Sequence, residues 1–277
     1  MERMARMDRA IATGALLLAL LASSRAQAAD PAPVVAAERA FSADGLVMAW
    51  PEAFKRHAAA DGVMFAPDPV NAQAHLAAMQ VKPRATLQWW PLFAGMAASG
   101  DLGFTTGPST IDGKPLGQYF TVWTKQVDGR WAWALDAAPD VDPPLTAPPS
   151  SEPGVLAPGR PSAQAWPAVQ AAEAALARTA AVDAPKAYRD RVAHDARIAG
   201  LSKRVAVGAV QIAEELKARA HAIIFKPLGG GAARAGDLAW TYGAAAWNGG
   251  RGHYVRIWRH DRDGWRIVWD QLLPVAT

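Results

Sequence analysis

The chain of 277 residues contains no cysteine. Disulfides, thiol nucleophiles, thiolate metal sites and a lipidated amino-terminal cysteine are thereby excluded, so stability has to come from burial. Charge of one sign is also scarce. Four of the arginines (Arg3, Arg6, Arg9 and Arg25) precede residue 29, and beyond that point 25 basic residues stand against 23 acidic ones. With no basic cluster larger than Lys203-Arg204, nothing supports a nucleic-acid or anionic-membrane partner. The six histidines show no metal-ligand spacing, so no metal site is expected. No cofactor motif is present either: Gly229-Gly-Gly231 after Lys226 lacks the Walker pattern and reads as a flexible loop, and no Gly-x-Ser-x-Gly occurs. What the chain does have is 51% hydrophobic residues with twelve Trp, ample for two cores of roughly a hundred residues each.

At the start, three arginines precede the apolar run Ala10 to Ala22, and Ala26-Gln-Ala28 follows. Positive start, short apolar core and small residues at −3 and −1 make a secretory signal peptide, residues 1–28, with cleavage expected after Ala28. The other reading, an uncleaved anchor helix, is disfavoured by the shortness of the run. The expected location is periplasmic or secreted, with no membrane contact after cleavage.

The remainder is written twice. Gly252-His-Tyr-Val-Arg-Ile-Trp258, then Asp263-Gly264 and Trp265-Arg-Ile-Val-Trp-Asp270, has its earlier copy in Gly117-Gln-Tyr-Phe-Thr-Val-Trp123, Asp128-Gly129 and Trp131 to Asp136. Each copy reads as a hairpin: β-branched and aromatic runs joined across Asp-Gly. By strict alternation Trp131 and Trp133 share one face and Asp136 the other; Trp265 and Trp269 likewise oppose Asp270. Upstream, Gly100-Asp101-Leu102 with Thr105 matches Gly236-Asp237-Leu238 with Thr241 as a strand entered from a turn. Ala36-Ala-Glu38 and Ala171-Ala-Glu173 open the first helices, and Pro51 and Pro185 begin second helices that run to Asp61 and Asp195. Residues 138–167 hold nine prolines and read as an extended connector. The layout is α+β: helices first, antiparallel strands afterwards, twice. The domains are 29–141 and 167–277, joined by a linker over 142–166.

These motifs resemble the nuclear transport factor two fold, in its SnoaL-like branch of bacterial proteins. The resemblance is carried by the Gly-Asp-Leu strand, Gly-x-Tyr-x-x-x-Trp and the Asp-Gly hairpin ending in Asp; it covers about 36–141 and, more weakly, 168–275. It implies two cone-shaped domains, each with helices on the concave face of a curved antiparallel sheet around an apolar cavity. It also implies pairing through sheet faces, as an internal pseudo-dimer or a homodimer. The fold hosts ketosteroid isomerase, scytalone dehydratase, limonene epoxide hydrolase and many non-catalytic members, so it does not choose a function. None of those catalytic sets matches a motif here, and catalytic residues stay unassigned.

The candidate ligand-binding residues are the repeated ones. Asp61 and Asp195 are general bases if they face a cavity, or caps of a turn if not. Asp101 and Asp237 orient a ligand or simply open their strands. Tyr119, Trp123, Tyr254 and Trp258 are core or the wall of a cavity suited to an aromatic or steroid-sized molecule. The expectation is an exported protein that binds a small apolar ligand or serves as a scaffold. The rival is a lyase, isomerase or hydrolase using a cavity Asp as base.

Overall fold

The computed structural model describes residues 29–79, 86–142 and 147–276. The expected signal peptide and Pro83 lie outside the described residues. In the first half, helices α1 (Ala32–Val47) and α2 (Trp50–His57) lead into strands β1 (Ala58–Phe65) and β2 (Pro69–Asn71), then helix α3 (Ala72–Ala78). Strands β3 (Leu87–Trp89), β4 (Phe93–Met96), β5 (Leu102–Ile111), β6 (Lys114–Lys125) and β7 (Trp131–Ala137) complete it. After a connector with the short strand β8 (Gly154–Val155) come α4 (Ala165–Ala180), α5 (Ala184–Arg189), β9 (Val192–Ala199), β10 (Val205–Val207) and α6 (Gly208–Ala218). The second half closes with β11 (Ile224–Ala232), β12 (Leu238–Trp247), β13 (Gly250–Asp261) and β14 (Gly264–Val275). The protein is thus α+β, with helices packed against two curved sheets, of order β2-β1-β7-β6-β5-β4-β8 (β3 also pairs β5) and β10-β9-β14-β13-β12-β11.

The first helix of each half is held by a buried stripe at helical spacing: Val34, Glu38, Phe41 and Gly45 in α1, and Val169, Glu173, Leu176 and Ala180 in α4. Gly45 is small for a reason, since a Cβ there would come within 2.9 Å of the Trp89 ring. The second helices begin at Pro51 and Pro185 as the sequence suggests but stop sooner, at His57 and Arg189. Asp61 and Asp195 therefore lie on strands β1 and β9 instead of at helix ends. Tertiary pairing overrides the helix propensity of the alanines here, because β1 and β9 pair in parallel with the closing strands β7 and β14.

Each closing hairpin contains a bulge that the alternating reading missed. Trp123 pairs with Trp133 and Val122 with Leu135, skipping Ala134; Trp258 pairs with Ile267 and Ile257 with Trp269, skipping Val268. An extra residue reverses the parity of all that follows. Asp136 thus shares the concave face with Trp133 and lies opposite Thr121, while Asp270 lies opposite Arg256 on the face of Trp258. Trp269 is turned to the outer face, away from Trp265. The second half's turn also differs, since Arg262-Asp263 forms the loop and Gly264, at φ +102°, already belongs to β14. Gly229–Gly231, expected as a loop, is the end of strand β11 paired to β12. Backbone hydrogen bonding decides there, because residues without side chains can run close against the Trp240-Tyr242 face.

The outer faces of the two sheets meet. Phe93, Phe104 and Phe120 form a ladder with centroid steps of 5.8 and 5.7 Å, and Phe120 stacks at 4.9 Å on Trp269 of the other half. The Arg197 guanidinium sits 3.4 Å over the Phe93 ring. The described part of the Pro-rich connector is not free. β8 pairs in parallel with β4, Val141 and Leu156 are buried, and the amide of Arg160 donates to the carbonyl of His260 at 2.7 Å.

Candidate functional site

Each concave face is built around one buried glutamate from the first helix. Glu38 accepts hydrogen bonds from Trp89 Nε1 at 2.6 Å, Trp123 Nε1 at 2.9 Å and the Thr105 hydroxyl. Burial pushes its pKa above the usual carboxylate value, and those three donors only partly offset it. The rest of that face is closed by aromatics: Phe41 lies 4.7 Å from both Phe54 and Trp89 and 6.2 Å from Trp123. Tyr119 is buried, and among the described residues its hydroxyl has no hydrogen-bond partner. Burial, seconded by the charge of Glu38, raises its pKa well above normal.

The counterpart in the second half is Glu173. It accepts from the Thr241 hydroxyl, from Trp258 Nε1 at 3.1 Å and from Tyr254 at 3.4 Å. One thing is added: Arg256 Nη1 donates to it at 2.7 Å, while Arg256 Nε donates to Asp270 at 2.8 Å. Asp270 accepts further bonds from Arg219 Nη1 at 2.6 Å and Tyr188 at 3.2 Å, and Arg219 lies 3.5 Å from Glu215. Burial alone would raise the pKa of Asp270, but the two guanidiniums hold it below the ordinary value. Three buried acids and two buried arginines thus form one chain of charge across the concave face.

Asp136, at the position of Asp270, has no arginine partner among the described residues. Its Oδ2 accepts from the Thr121 hydroxyl at 2.8 Å. Part of the carboxyl opens on a cleft, yet protein crowds its other sides. Desolvation, together with the charge of Glu38, pushes its pKa up to about 8.

Of the residues expected to bind a ligand, Trp123, Tyr254 and Trp258 are brought to the glutamates, and Tyr119 lies on the same face as Trp123. The four aspartates are not. Asp61 is exposed on β1. Asp195 forms a bidentate pair with Arg259 at 2.7 and 2.9 Å; burial opposes this, but the hydrogen bonds and charge of Arg259 bring its pKa below normal. Asp101 and Asp237 reach across to the other half in mirrored fashion. Asp237 accepts the amide of Ala98 at 2.8 Å, and Asp101 accepts the amide and Nε of Arg234 at 3.2 and 2.8 Å. Glu38 and Glu173 were missed as site residues. They had a signal: an acid in the middle of the apolar stripe of both first helices, matched downstream by the repeated Thr105/Thr241 and Trp123/Trp258.

Two clefts open on the second half. One, of about 450 Å³, lies between α5, β9 and α6, walled by Val192, Ala193, Ile212 and Leu216 with Arg189 and Lys217 at its rim. The other, of about 380 Å³, runs under β11 past Trp166 and Leu228 and touches Glu173 and Thr241. The first is the more apolar of the two but does not reach the buried carboxylates, and none of the eight expected residues lines either. Among the described residues no group of three or more His, Asp or Glu is placed to hold a metal ion, and no helix is long and apolar enough to cross a membrane.

No protein-family model matches the chain, and no curated protein does. Among solved structures, it is similar to a protein of unknown function from Pectobacterium atrosepticum, at 18% identity over 42% of this chain and 94% of that one, with a TM-score of 0.35. A ketosteroid isomerase-like protein from Erwinia carotovora atroseptica matches at 14% identity over 42% of this chain and all of its own, with a TM-score of 0.36. A protein with a cystatin-like fold from Nostoc punctiforme matches at 13% identity over 43% of this chain and 96% of its own, with a TM-score of 0.35.

Proposed function

We propose that the chain is an exported protein of two cone-shaped domains, coupled as an internal pseudo-dimer, whose second domain binds a small apolar molecule. The observation that carries this reading is the cleft of about 450 Å³ between α5, β9 and α6, whose walls are Val192, Ala193, Ile212 and Leu216. The first half has a cleft of similar size, but Gln88, Thr110 and Gly113 line it, and its concave face is filled by Phe41, Phe54, Trp89 and Trp123. The second domain's buried carboxylates argue for binding over catalysis. Glu173 and Asp270 are each matched by arginine, so neither is a free general base. The filled first domain then serves as the scaffold, its Phe120 packed on Trp269. Export rests on the arginines, apolar run and Ala26-Gln-Ala28 pattern of residues 1–28.

Native mass spectrometry of the protein recovered from its producing cells tests this reading. The expected spectrum shows an added small-molecule mass that the denatured chain lacks, and Ile212→Trp, which fills the cleft, removes it while the far-ultraviolet spectrum is kept. A bare mass for the wild type, or an adduct indifferent to Ile212→Trp, defeats the reading. Export predicts a mature amino terminus at Ala29.

A further inference from the structure

A separate cleft, of about 300 Å³, opens where the ends of β1, β7 and β14 meet, between the two halves. Met64, Phe65, Leu273 and Pro274 give it apolar walls, and its charged lining residues are Asp136 and Asp140, with no basic residue among them. Asp140 is already paired with Lys203. Asp136 is not paired with any cation among the described residues: Thr121 bonds Oδ2, and Oδ1 has no partner.

The other half shows what this position does when it is complete. Asp270 receives two guanidiniums, Arg219 on Oδ1 at 2.6 Å and Arg256 on Oδ2 at 2.8 Å. Where Arg256 stands in one sheet, Thr121 stands in the other, opposite Asp136 in the register. A carboxylate taken out of water without a cation is costly, and a charge supplied from outside would remove that cost.

We propose that this cleft binds a small organic amine, its ammonium on Asp136 and its apolar body against Phe65 and Leu273. The site is independent of the cleft between α5, β9 and α6. Desolvation keeps the free carboxyl, with its pKa of about 8, largely protonated at neutral pH. Seating an ammonium therefore expels the proton: the carboxyl O–H bond breaks, buffer takes the proton, and carboxylate and ammonium form an ion pair. Amine binding at pH 7 is accordingly coupled to proton release.

The test is isothermal titration of the full chain with n-hexylammonium and with 1-hexanol, in buffers of different ionisation enthalpy. The expected result is binding of the amine at least tenfold tighter than the alcohol, release of most of one proton at pH 7, and at least a tenfold loss in Asp136→Asn with no change for hexanol. Equal binding of the two probes, no amine binding, or binding without proton release overturns the proposal. Should Asp136→Asn fail to fold by circular dichroism, the amine preference and the proton release of the wild type decide the matter alone.

Discussion

Residues 121 and 256 occupy the same place in the two sheets, opposite Asp136 and Asp270, and they are a threonine and an arginine. Around them the surroundings are alike: a glutamate from the first helix, a threonine from the Gly-Asp-Leu strand and a tryptophan indole from the next. The same pair of buried acids is thus accommodated in two ways. In the second half guanidiniums neutralise them and tie α4, α5 and the region after α6 into one network. In the first a proton neutralises Asp136 at neutral pH, indole and hydroxyl donors surround Glu38, and aromatic rings do the packing. Two copies of one architecture should therefore answer differently to mutation and to pH.

The strongest challenge to that contrast is Arg256→Met. It leaves Glu173 and Asp270 buried without their shared cation, and the urea midpoint should report a loss of about 3–5 kcal/mol. The matching change, Thr121→Val, removes only a hydroxyl hydrogen bond and should cost about 1 kcal/mol. Equal losses would erase the distinction.

A pH series sharpens it. Asp136 has a raised folded pKa, so its contribution is fully present below the ordinary value near 3.8 and is lost as pH climbs to about 8. Asp136→Asn should flatten that decline in midpoint between pH 4 and 8. Asp270, with a lowered pKa, has the opposite sign: its contribution is present above pH 3.8 and is lost as pH falls through its folded value. A wild-type decline that persists unchanged in Asp136→Asn would place the titrating group elsewhere.

The smallest effect is expected at the contact between halves. Arg234 is largely exposed where it meets Asp101. Arg234→Ala should shift the midpoint by under about 1 kcal/mol. A larger loss would make this contact, and not the Phe120-Trp269 stack, the main tie.

Much of the architecture was legible because it is repeated. The Gly-x-Tyr-x-x-x-Trp runs, the Asp-Gly pairs and the preserved spacing from Asp101 to Thr105 and from Asp237 to Thr241 identify strands by pattern. The bulges at Ala134 and Val268 were not legible, because alternation carries no mark of a skipped residue; the faces of Asp136 and Trp269 were misread in consequence. The extent of the second helices was misread for a different reason. Alanine favours helix locally, and only pairing with a strand some seventy residues downstream turns Ala58 to Phe65 into β1. Glu38 and Glu173 were visible as repeats, but their partners come from β3, β5, β6, β12 and β13, and only folding shows that the acids point inward.

Strand β8 has a consequence of its own. A sheet that ends on a bare strand offers its outer amides and carbonyls to any passing chain, the usual route to edge-wise polymerisation. Here Gly154 and Val155 take up part of that row along Phe93 and Ala94, and Pro153 and Pro158 stand nearby without amide hydrogens to extend it. The tether that makes one molecule of two halves also acts as a stopper on the β4 side, keeping that molecule from becoming the first link of a fibre.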